Sequence, residues 1–186
     1  MKNFLSLLIL SASLSACSQK AEIKTELKPV TGEKILSTKV FNLGGRDGYN
    51  SMNGRRDRSD GPLDISFVRI DRPNLPSVYE VQIFSNGASP RLKIKNEKSL
   101  SFILPNQIIV LSPTSQSSND EEKMTEYFPR FRKESATYSN LTLDQLSPLL
   151  VKTEAPIVKV EGEKRSEAIA LNADATAALE ALIAQP

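Results

Sequence analysis

The chain of 186 residues has no histidine, no tryptophan, a single cysteine, and aromatic side chains at only 6%. Each absence removes a class of chemistry. Without histidine the usual serine triad cannot be built. The commonest general base and the commonest ligand of catalytic zinc are missing too. One cysteine makes no intrachain disulfide, so the fold rests on its core. With no tryptophan and few other aromatics, a platform for stacking carbohydrate is not expected. An excess of one charge is also lacking: 24 basic side chains stand against 22 acidic ones. Nucleic-acid binding normally shows a basic excess or stripe, so no nucleic-acid partner is expected. The segment "GASPR", Gly87 to Arg91, follows the nucleophile elbow G-x-S-x-G only as far as Ser89, and no S-x-x-K occurs. Paired carboxylates remain a route to acid–base work, but spacing singles out no pair. The reading is no enzyme, no metal and no cofactor.

There is no long hydrophobic run either. Phe4 to Leu14 follows the positive Lys2 and is too short for a bilayer core, which takes about 20 residues. A charged start, a short apolar region and small residues make a secretory signal, to be left out of the fold. The last residues of this segment, Leu14-Ser15-Ala16-Cys17, resemble the lipobox of bacterial lipoproteins. The resemblance implies cleavage after Ala16, leaving Cys17 as a lipid-bearing first residue and the membrane as partner through that lipid. In that family, aspartate after the cysteine favours inner-membrane retention; here Ser18 follows, which implies the outer membrane, with the domain facing the periplasm. Cleavage removes one basic residue, Lys2, so 23 basic and 22 acidic side chains remain.

Residues 17–33 are polar, of mixed charge, and contain Pro29 and Gly32. They read as the lipidated cysteine and a flexible tether, with one domain over 34–184. From Lys34 a period of two sets in. Leu63, Ile65 and Phe67 alternate with polar residues, as do Tyr79, Val81 and Ile83, then Leu92 and Ile94, then Leu100, Phe102 and Leu104. These predict successive antiparallel strands with one wet face. "QIIVL", Gln107 to Leu111, is apolar on both faces and predicts a central strand. A longer edge strand is expected over Met124–Tyr138, kinked at Pro129. "SPTSQSSNDEEK" reads as an exposed loop.

The last third changes period. Thr142 and Gln145 have capping-box spacing ahead of Leu143, Leu146, Leu149 and Leu150, with Pro148 set to shorten that helix. A hairpin turning at Gly162 follows. Asn172 is placed to cap a final helix whose apolar face is Ala175, Ala178, Leu179, Leu182 and Ile183. This arrangement over Tyr138–Ala184 resembles the C-terminal part of some uncharacterised bacterial envelope proteins, a loose likeness that carries over no functional residue. The fold class expected is α+β: a largely antiparallel sheet, as sandwich or half-barrel, with a short helix, a hairpin and a packed C-terminal helix.

Five of the eight glycines fall between Gly44 and Gly61. That stretch also holds Arg46, Arg55, Arg56 and Arg58, a candidate anion-binding loop; a solvated connecting loop is the simpler reading. A calcium loop does not fit, since Tyr49 occupies the third position counted from Asp47 and no closing glutamate follows. Arg91, Lys93 and Lys95, and a second cluster of Arg130, Arg132 and Lys133, offer basic faces for anionic lipid or an acidic partner. The same pattern protects an edge strand from aggregation. The function expected is a membrane-anchored envelope lipoprotein that acts by binding, as accessory or assembly factor with another envelope protein. The alternative is a small-ligand or lipid carrier, which requires an internal apolar pocket.

Overall fold

The computed structural model describes residues 22–43, 48–49, 56–57, 63–87, 92–121, 131–150, 154–163 and 165–186. The fold is α+β. Its strands are β1 (Ile23–Lys28), β2 (Glu33–Thr38), β3 (Phe41–Asn42), β4 (Gly48–Tyr49), β5 (Arg56–Asp57), β6 (Leu63–Asp71), β7 (Val78–Gly87), β8 (Leu100–Ile103), β9 (Ile108–Leu111), β10 (Ser115–Glu121), β11 (Phe131–Leu141), β12 (Ile157–Glu161) and β13 (Ser166–Ala170). The helices are α1 (Leu143–Leu146), which runs on into a 3₁₀ turn over Ser147–Leu150, and α2 (Ala173–Ile183).

A large antiparallel sheet runs in the order β1-β2-β6-β7-β11-β10, with β3 also paired to β6. A second sheet runs β13-β12-β8-β9, and β4 pairs with β5. Register places Phe67, Val81 and Tyr138 in one cross-strand row and Ile65, Ile83 and Ala136 in the next. These inward rows meet Leu100, Phe102, Val158 and Val160 of the smaller sheet in one continuous core. Leu179 and Leu182 of α2 belong to the same core, with α2 packed on β2 and β6. Period two supplies the inward residues of the strands, and period 3.6 supplies Ala175, Ala178, Leu179 and Leu182 of the helix.

Both caps form as their spacing requires. Gln145 Oε1 accepts the Thr142 N–H at 2.9 Å, and Asn172 Oδ1 accepts the Ala175 N–H at 2.8 Å. At the far end of α2, Arg69 donates to the Ile183 and Gln185 carbonyls at 3.2 and 2.6 Å, while Asp71 holds its guanidinium at 2.7 Å. A cation at a helix C-terminus opposes the negative end of the dipole.

Four sequence expectations are corrected. Ile23–Lys28, assigned to the tether, forms β1 and pairs with β2 along its whole length. Its polar composition is that of an outermost strand. Ile108–Leu111 lies at an edge of the smaller sheet rather than its centre. Phe131–Leu141 is an interior strand, paired on both sides by β7 and β10; Pro129 lies outside the described residues. Ser115–Glu121, expected as loop, is strand β10.

Candidate functional site

The predicted anchor residue Cys17 lies outside the described residues, as do Arg46, Arg55 and Arg58 of the glycine-rich stretch. Arg56 takes part in the β4–β5 pairing, its backbone opposite Tyr49. In the first basic cluster Arg91 falls outside the described residues, and Lys93 and Lys95 share no strand. Lys93 takes φ = +50°, and only Ile94 makes a single bridge, to Gly162. Their charges are matched locally: Lys93 Nζ lies 3.1 Å from Glu163 and Lys95 Nζ 3.9 Å from Glu161. In the second cluster Arg130 is outside the described residues, Arg132 is in β11 opposite Gly87, and Lys133 is exposed.

What this irregular segment builds is a cleft of about 500 Å³ between residues 93–96 and strands β10 and β11. Gln116 Nε2 donates to the carbonyls of Ile94 and Lys95, at 3.3 and 2.8 Å, and so pins the segment to β10. Across the β10–β11 pair the hydroxyls of Ser117 and Ser135 meet at 2.8 Å. Glu134 also lines the cleft although only 7% exposed, and its Oε2 accepts the Lys93 N–H at 2.8 Å. Its burial follows from register. Glu134, Ser85 and Leu63 form one cross-strand row, on the same face as Ala136 and Tyr138. In the sequence, the i, i+2, i+4 relation of Glu134 to Ala136 and Tyr138 is the signal for this inward position. The cleft thus presents amides, hydroxyls and balanced charge. Among the described residues no three carboxylates or thiols gather as a metal site.

A second surface is apolar. On the outward face of the smaller sheet, register aligns Ile108, Ile103, Ile157 and Ala170 in one row across all four strands. The next row is Val110, Ser101, Lys159 and Ala168. Ile108 is 62% exposed, Val110 49% and Ile157 40%. The pattern of Gln107–Leu111, apolar on both faces, predicts a central strand covered on both sides, so this exposed face does not follow from it. Among the described residues no helix is long and apolar enough to cross a membrane. Compared with protein-family models, curated proteins and solved structures, the chain matches none.

Proposed function

We propose that the chain is a bacterial envelope lipoprotein, held at the outer membrane by acyl chains on Cys17, whose domain binds another envelope protein. Several chains at about 0.8 kcal/mol per buried CH₂ make a durable anchor. The domain carries no catalytic role in this reading. The observation that carries the binding role is the outward row Ile108–Ile103–Ile157 with Val110 beside it, apolar side chains left exposed on the smaller sheet. Contiguous exposed apolar surface is where proteins meet partners. The test is cross-linking in intact envelopes followed by purification of the tagged chain. Ile157→Asp is expected to melt like the parent, because its side chain packs on no core, and to lose the cross-linked partner. A partner set identical to that of the parent would place the binding surface elsewhere.

A further inference from the structure

β9 is bordered by β8 on one side, and among the described residues no strand meets its other side. The phase of the ladder decides what that edge presents. The Leu104 N–H donates to the Gln107 carbonyl at 2.9 Å, closing the β8–β9 turn with a hydrogen-bonded pair. Hydrogen-bonded and non-bonded pairs then alternate along an antiparallel ladder. In the register Ile103↔Ile108, Phe102↔Ile109 and Ser101↔Val110, Ile109 bonds back to β8. Ile108 and Val110 therefore turn their N–H and C=O groups to the open side.

That edge also lacks the protection seen at the others. β1 carries Lys24, Glu26 and Lys28, β13 carries Glu167, and β10 ends in Asp120-Glu121. From Ser99 to Asn119 there is no charged residue at all, in a chain that is 25% charged. Charge on an edge strand is what keeps sheets of separate molecules from joining.

We propose that β9 pairs antiparallel with β9 of a second copy of this chain, across a two-fold axis normal to the sheet, giving one continuous eight-stranded sheet. The register is dictated by geometry. Directly opposed residues point to the same face, and within β9 the open backbone groups are those of Ile108 and Val110. The two-fold register that uses both residues of both copies sets Ile108 of each against Val110 of the other, making four backbone hydrogen bonds, with Ile109 facing Ile109 on the axis. The edge is its own complement: uncharged against uncharged, with the outward apolar rows joined across the seam. An isologous contact of this kind closes at two copies. The pairing stands independently of the lipid anchor and of any envelope partner.

The test uses the purified full-length chain at high concentration under mild oxidation. On the axis, the side chains at position 109 come within reach of a disulfide. Ile109→Cys is expected to give a covalent dimer in which peptide mapping joins the two position-109 peptides. Ala168→Cys, on the exposed β13 edge, is expected to give none of its own. Adding Val110→Pro to Ile109→Cys removes an N–H that an unpaired edge does not need, and the cross-link is lost. Val110→Lys acts through charge at an exposed side chain and serves the same purpose if the proline variant melts early. Equal cross-linking of Ile109→Cys and Ala168→Cys, or a position-109 cross-link that survives a folded Val110 variant, overturns the proposal.

Discussion

Tyr138 is sealed between the sheets with its hydroxyl 2.9 Å from Ser99 Oγ, and neither side chain reaches water. Burial pushes the phenol from its ordinary 10 up to about 12, against the opposing pull of the Ser99 hydrogen bond. Below pH 10 the phenol is protonated in folded and unfolded chains alike. Between 10 and 12 the unfolded chain releases a proton that the folded chain keeps, so stability falls as pH rises. The span of the shift corresponds to roughly 2–3 kcal/mol. Tyr138→Phe leaves the Ser99 hydroxyl without its partner, at a loss of about 1 kcal/mol near neutral pH. The same variant is expected to lose less stability than the parent above pH 10. Chemical denaturation across that window checks this, and parallel profiles would contradict it. Gly162 is constrained in another way. A Cβ there would overlap the Leu92 carbonyl oxygen and lie 2.8 Å from its carbon and 2.9 Å from the Arg165 oxygen. Because those atoms are backbone, Gly162→Ala is expected to destabilise by about 1–3 kcal/mol, read as a lowered denaturation midpoint.

At the scale of elements, α2 shows how closely a periodic segment can be read. Its cap, its span and its buried face follow from Asn172 and the spacing of Ala175, Ala178, Leu179 and Leu182. Leu182→Ala is expected to lose about 2–5 kcal/mol, and Asn172→Ala about 1 kcal/mol. The second variant also removes the Asn172 bond to the Asn42 carbonyl at 2.8 Å. Melting of both variants checks the order. Strands at the edges were harder to read, because their pattern does not report their neighbours. β9 is apolar on both faces, which fits a central strand as well as an edge with an apolar outward row. β10 is serine-rich and exposed wherever its side chains are described, so no alternation marks it. Lys93 and Lys95 follow the alternation of a strand, yet Lys93 takes a positive φ. The cleft that results joins Lys93 to Glu134 and Gln116 to Ile94, residues 22–41 positions apart. No local pattern contains such a pairing.

For the whole molecule, the two sheets and α2 enclose one core, and the described residues include a polar cleft and an apolar outward face. The proposed membrane anchor rests on Leu14-Ser15-Ala16-Cys17, and the proposed binding role on the outward face. The anchor comes first, since a domain released from the membrane would meet different partners. Mass spectrometry of the N-terminal peptide, taken from the protein purified out of host membranes, tests it directly. A lipidated N-terminus would give a chain beginning at Cys17 and carrying the added mass of acyl groups, with Cys17→Ser removing both that mass and the membrane association. An N-terminus elsewhere, or an unmodified Cys17 thiol in the membrane-associated protein, would contradict it.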